Sequence, residues 1–303
     1  MDTTYSVRTG ERVEPQVSIL SNVACELGEG PSYEPAADTL WWFDIVSRRL
    51  LEHRFPGGPT RIHALPVMAS AIAFTRDGGQ ILATERGVER RDAVTGRLET
   101  LARIEADDAA TRSNDARVHA SGAFWISTMD KKARARAGAI YHYRAGTVTR
   151  LFDEISIPNS ICFSPAGDIA YFADTGRNLL YRVTIDPASG LPTGEPALFL
   201  DQRRQPGGID GSVCDADGVI WNARWGAGRL DAYAPDGQHL RSIAVPARQT
   251  SCPAFVGRTA ERLAVTSALQ NMSPAERAAD PDGGKTFLVN LPVRGRFEPH
   301  VVL

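Results

Sequence analysis

Short apolar strands separated by turn signals fill nearly the whole chain: LWWFDI, AIAFTRDGGQILAT, GAFWIST, AIYHYRAGTVTRL, SICFSPAGDIAYFAD, NLLYRVTI, GVIWNAR, GRLDAYAPDGQHLRSIAV, RLAVTSAL and TFLVNL. Asp-Gly, Gly-Asp, Gly-Gly and Pro-x-Gly pairs punctuate them, as antiparallel hairpins require. Helical periodicity is nearly absent, and SPAERAAD at 273–280 is the clearest candidate. The pattern predicts an all-β protein. A phrase of small turn, hydrophobic strand, Asp/Gly turn and aromatic strand superposes GPSYEPAADTLWWFD, ASAIAFTRDGGQILAT, NDARVHASGAFWIST, NSICFSPAGDIAYFAD, DGSVCDADGVIWNA and SCPAFVGRTAERLAVT. The repeat recurs every 40 to 50 residues or so, roughly the length of one four-stranded propeller blade. The expectation is therefore a six-bladed β-propeller with antiparallel four-stranded blades around a central channel. It forms a single domain over residues 16–303, with residues 1–15 as an N-terminal extension, flexible or packed on the surface. The first strand, within VSILSNVACEL, either caps the first blade or completes the last beside FEPHVVL.

Composition narrows the function. With 43% hydrophobic residues in a chain of 303, a substantial core can form. A net charge of -2, from 34 basic and 36 acidic residues, leaves no electrostatic footprint for nucleic acid or an anionic membrane. A small neutral or weakly charged partner fits better. MDTTYSVRTGERVEPQ lacks the apolar stretch of a secretory signal and no run is long enough to cross a bilayer, which together read as a cytoplasmic protein. Cys25, Cys162, Cys214 and Cys252 are dispersed and read as reduced, mostly buried thiols. The six histidines share no zinc-ligand spacing, which argues against a zinc hydrolase of the His-Glu type.

Three distant stretches each set one oxygen-bearing side chain among glycines or beside a proline: Glu29 in GEGP, Asn159 in IPNS and Asp210 in GGIDGS. Each alone is an ordinary turn residue. In the repeat alignment, however, Glu29, Asn114, Asn159 and Asp210 fall at or next to one equivalent position, which a propeller brings to one mouth of its channel. Hard divalent cations favour oxygen ligands, and three protein oxygens leave room for water and a substrate oxygen. Asp44, Asp77, Asp168, Asp174 and Asp217 read instead as turn or blade-edge residues, and Trp225 in NARWGAG stands where a turn approaches the channel.

From LGEGPSY through RSNDARVHASGAFWISTMD, IPNSICFSPAGDIAYFADT and GGIDGSVCDADGVIWNARWGAGRL to TSCPAF, the chain resembles the family of regucalcin (senescence marker protein), gluconolactonases and related sugar lactonases. The resemblance implies one divalent cation held by Glu29, Asn159 and Asp210, with Arg112 and Asn114 binding substrate oxygens beside it. Where animal members carry a substrate-contacting glutamate, this chain carries Lys132. The implied activity is a metal-dependent lactonase that opens an aldonolactone by polarising its carbonyl, with Asp210 as general base toward water. No Gly-x-Ser-x-Gly elbow supports an acyl-enzyme. Calcium heads the candidate ions, and zinc, manganese, magnesium and iron(II) also suit two carboxylates and an amide. A non-catalytic calcium-binding regulator and an esterase or phosphotriesterase are the alternatives. The protein is expected as a monomer or weak homodimer acting on a small sugar lactone, without nucleic acid or membrane.

Overall fold

The computed structural model describes residues 15–303, so residues 1–14 of the expected N-terminal extension lie outside the described residues. After β1 (Gln16–Ser21) the chain makes β2 (Gly28–Glu34), β3 (Thr39–Asp44), β4 (Arg49–Arg54) and β5 (Arg61–Ala64). There follow β6 (Ala69–Phe74), β7 (Gln80–Thr84), β8 (Gly87–Arg91) and β9 (Leu98–Arg103), then β10 (Thr111–Val118), β11 (Phe124–Asp130), β12 (Gly138–Arg144) and β13 (Thr147–Ile155). Next come β14 (Pro158–Phe163), β15 (Ile169–Asp174), β16 (Leu179–Thr184) and β17 (Ala197–Asp201). The last strands are β18 (Gly208–Cys214), β19 (Ile220–Trp225), β20 (Arg229–Tyr233), β21 (His239–Ala244), β22 (Gln249–Val256), β23 (Arg262–Ala268) and β24 (Thr286–Asn290). The helix α1 (Pro274–Ala279) falls where the sequence indicated, capped reciprocally by Ser273 and Glu276. Among the described residues no helix is long and apolar enough to cross a membrane.

The architecture is all-β and propeller-like, but the structure has four discrete four-stranded blades and not the six expected. The blades are β2–β5, β6–β9, β10–β13 and β14–β17. The other eight strands form one continuous sheet, ordered β1-β24-β23-β22-β19-β20-β21 with β18 on β19. What fuses them is a backbone bridge between Trp225, ending β19, and Gln249, opening β22. A repeat in sequence reports the period of strands and turns, and carries no signal for whether two neighbouring strands also hydrogen-bond. The open question of closure is answered by β1, which pairs antiparallel with β24 through Gln16 to Asn290 and Ile19 to Phe287.

The inner strands β2, β6, β10, β14, β18 and β22 each lie against the next, and β22 lies against β2. Because both their faces meet neighbours, β6, β10, β14, β18 and β22 are buried along almost their whole length, whereas outer strands such as β13 and β21 are largely exposed. Aromatic side chains fill the wedges between sheets. Trp125, Phe163 and Phe172 pack between β11 and β14–β15, and Trp42 and Tyr33 pack with Ala254 and Val256 where the first blade meets the large sheet. The C-terminal residues cross the inner strands' far ends as a strap. Val301 N donates to Phe74 O at 2.9 Å, Val302 N to Gly122 O at 2.9 Å, and Ala216 N to Arg294 O at 2.7 Å. Glu298 of this strap pairs with the buried Arg117.

Candidate active site

The inner strands are not regular where they begin. In β2 the residues between Glu29 and Ser32 oppose one residue of β3, and the same two-against-one count holds between Ser113 and Ala116, Asn159 and Cys162, and Ile209 and Ser212. Such bulges break the alternation of side chains and turn adjacent residues toward one face. Glycine serves the bulges by allowing close approach. Gly30 has φ of 55°, and a Cβ there would lie 1.8 Å from Ser70 O, while one on Gly211 would lie 2.3 Å from Cys252 Sγ. The GEGP and IDGS phrases are thus the sequence trace of two bulges that present Glu29 and Asp210.

One hydrogen-bonded chain runs across the inner strands β10 and β14 to the turn after β15. Arg112 Nη1 donates to Asn114 Oδ1 at 2.7 Å, and Asn114 Nδ2 donates to Asn159 Oδ1 at 2.8 Å and to Pro158 O at 2.9 Å. Asn159 Nδ2 donates in turn to Thr175 Oγ1 at 2.8 Å. Both amide protons of Asn114 are therefore engaged within the protein. Glu29 is half-buried and accepts from Gly30 N at 3.0 Å, while Asp210 is 5% exposed. Burial, then repulsion from Asp115, raises the Glu29 carboxyl to about 8 against the pull of Gly30 N, Arg112 and Arg117. Burial raises Asp210 well above the usual carboxylate range, with Glu29 and then Asp115 adding repulsion. Arg112, buried between them, is lowered to about 10 by desolvation although Glu29 and Asp210 both oppose the shift.

The structure thus brings Glu29, Asp210, Arg112, Asn114 and Asn159 into one electrostatically connected cluster. Lys132 is not part of it. It lies exposed on the turn after β11, at the end where Asp130 pairs with Thr111, and its backbone N donates to Asp130 Oδ1 at 2.8 Å. Trp225 packs on a cluster that includes Leu27, Met68 and Ala69 and so forms part of the surrounding wall. Asp44 and Asp174 end their strands, accepting from the backbone of Glu26 and Leu27 and of Ser156 and Ile157 respectively.

Two residues of the cluster went unseen in the sequence. Asp115 follows Asn114 directly, and strict strand alternation would send it to the opposite face. The bulge keeps it inside, where Oδ2 accepts from Ile161 N at 2.6 Å and burial raises the carboxyl to about 6. Thr175, in FADTG, reads as plain turn chemistry. The only available signal for either was its place in the repeat, one residue beyond a position already marked.

The donor set fits a hard divalent cation. Two carboxyls that burial and neighbouring carboxyls make reluctant to ionise form a site deficient in positive charge, and Asn159 Oδ1 keeps a second lone pair after accepting from Asn114. Among the described residues no three His, Cys, Asp or Glu side chains are grouped as a metal-ligand set, so a cation beside Glu29 and Asp210 would need a third oxygen of another kind, such as the Asn159 amide.

Residues 27–269 match the family model described as SMP-30/Gluconolactonase/LRE-like region. A Rhizobium meliloti (strain 1021) protein assigned as a sugar lactone lactonase is 52% identical over 92% of this chain and 95% of its own length. The L-arabinolactonase of Azospirillum brasilense is 32% identical over 90% of this chain and 91% of its own. Among solved structures, a calcium-binding protein, regucalcin, from Agrobacterium tumefaciens superposes with a TM-score of 0.93 at 49% identity, covering 94% of this chain and 97% of that one.

Proposed function

Since the chain belongs to the SMP-30/gluconolactonase/LRE-like family, we propose that it is a metal-dependent lactonase, which hydrolyses a sugar lactone, an aldonolactone, to the open sugar acid. The observation that carries this reading is the convergence of Glu29, Asp210 and the Asn159–Asn114–Arg112 chain in one buried cluster. The names of the relatives at 52% and 32% identity support the substrate class.

In this reading Glu29, Asn159 and Asp210 hold one divalent cation, calcium first among the candidates. A bound cation supplies electrophilic polarisation of the lactone carbonyl. Asp210 positions water and takes its proton, the task of a carboxylate beside the reacting carbonyl. Arg112 offers guanidinium protons to the sugar's oxygens, and its engagement with Asn114 fixes the direction from which it does so. Asn114 holds Asn159 and leaves its own Oδ1 toward Arg112 and the substrate. Lys132 contributes at the rim, to a substrate that extends above the cluster.

The deciding experiment is a pH-stat assay on gluconolactone, galactonolactone, arabinonolactone and xylonolactone with cation-loaded and chelator-stripped protein. Hydrolysis of at least one lactone, faster in the loaded form, is expected. Equal rates for all four in both forms would remove the reading. The calcium-binding name of the Agrobacterium tumefaciens structure favours one second reading, a calcium-binding protein without turnover, which tight calcium binding with no hydrolysis would select.

A further inference from the structure

The turn between β15 and β16 clasps the beginnings of two inner strands. Thr175 N donates to Ile157 O at 3.0 Å, just ahead of β14. Asn178 reaches β18, donating through Nδ2 to Gly207 O at 3.1 Å and accepting from Ile209 N at 2.9 Å. Between these anchors the Thr175 hydroxyl touches both strands at once, with Oγ1 2.5 Å from Ile209 O and 2.8 Å from Asn159 Nδ2. A hydroxyl has one proton, and a carbonyl oxygen can only accept, so that proton is committed to Ile209 O. Toward Asn159 the hydroxyl can then only accept, which requires the NH₂ end of the amide to face it and leaves the oxygen end on the side where Asn114 Nδ2 donates to it at 2.8 Å.

We propose that Thr175 is a positioning residue for the reaction. Its hydroxyl fixes the amide orientation of Asn159 and ties that side chain to the strand carrying Asp210, so that amide oxygen and carboxylate keep a constant separation. The proposal rests on the cation-site reading given above and adds a residue that touches neither cation nor substrate. Gly208 makes room for it: a Cβ there would stand 3.0 Å from the Thr175 methyl. Loss of a group that orients a ligand in this way costs about 10- to 100-fold in metal affinity or activity.

The test compares Thr175→Val, Thr175→Ala and Thr175→Ser in the full chain, by calcium titration calorimetry, lactone kinetics and the NMR signal of the Asn159 side-chain NH₂. Calcium affinity and kcat/KM should fall about tenfold or more in the Val and Ala variants. The Asn159 NH₂ signal should broaden or split as the amide rotates, and Ser, which keeps the hydroxyl, should restore all three. Wild-type affinity and an unmoved Asn159 signal in both the Val and Ala variants would overturn the proposal, and so would a Ser variant as impaired as Val. If Val fails to fold, Ala and Ser decide by the same criteria. A wild-type protein that neither binds a cation nor opens a lactone would sink the cation-site reading instead, and the Asn159 signal would still decide whether Thr175 orients the amide.

Discussion

Glu29 and Asp210 share an environment that disfavours two negative charges, which gives the cation-free protein an unusual dependence on pH. A carboxyl that titrates at about 8 in the folded chain, against an ordinary value of 4.5, draws protons to the folded state between those values. Its contribution to stability is therefore complete below about pH 4.5 and lost as pH rises toward about 8. Calorimetry in chelator should show Tm declining across that window, more steeply in wild type than in Glu29→Gln. Divalent cation should restore Tm more toward the alkaline end, as Glu29 gives up its proton and becomes a better ligand. Asp210→Asn keeps the volume and removes a ligand charge and the proposed base. Its kcat should drop by about 10²- to 10⁴-fold with the circular dichroism spectrum unchanged, and activity within a few-fold of wild type in cation-loaded protein would exclude Asp210 as base. At this scale the sequence drew attention where glycine or proline flanked an oxygen-bearing side chain, as at Glu29, Asn159 and Asp210. It was silent at Asp115 and Thr175, whose roles depend on which way a bulge or a turn points a side chain.

The bulge is the element on which the site depends, and its glycines can be tested directly. Gly30→Ala would place a methyl group against Ser70 O in a left-handed backbone conformation, so both strain and collision act together. Destabilisation of more than about 2 kcal/mol is expected, read from urea unfolding. Gly78→Ala, at a positive-φ turn with open space around it, should cost less because only the conformational part remains. An equal cost at both positions would mean that close packing of the first bulge is unimportant. Most elements were legible from alternation and turn pairs, and the helix from the SPAERAAD stretch at 273–280. The bulges were not, because two residues opposing one is a relation between strands that neither strand's own sequence displays. The same limit explains the large sheet: Trp225 and Gln249 belong to different repeats, and nothing in either repeat announces their bridge.

Across the whole molecule, the two ends of the channel are treated differently. The end with Glu29 and Asp210 presents carboxylates, while the other is crossed by the strap, where Arg117 finds Glu298. Arg117 is buried at 7% exposure, so Glu298→Gln would leave a guanidinium without its main counter-charge. Removing one partner of a buried pair costs about 3 to 5 kcal/mol, and the low end is expected here because the Glu298 side chain is 24% exposed. Urea unfolding of Glu298→Gln beside Arg117→Met/Glu298→Leu checks this, the double variant being the more stable of the two. Unchanged stability in Glu298→Gln would show that Asp115 alone satisfies Arg117. The pairing of β1 with β24 reaches further still, into the order in which the chain is made. Gln16–Ser21 leaves the ribosome before any other described strand, and Thr286–Asn290 leaves it last of all the strands. The earliest strand synthesised is therefore the latest to find its partner. Until β24 is made, β1 has no partner and β23 shows an open edge to every other nascent chain nearby.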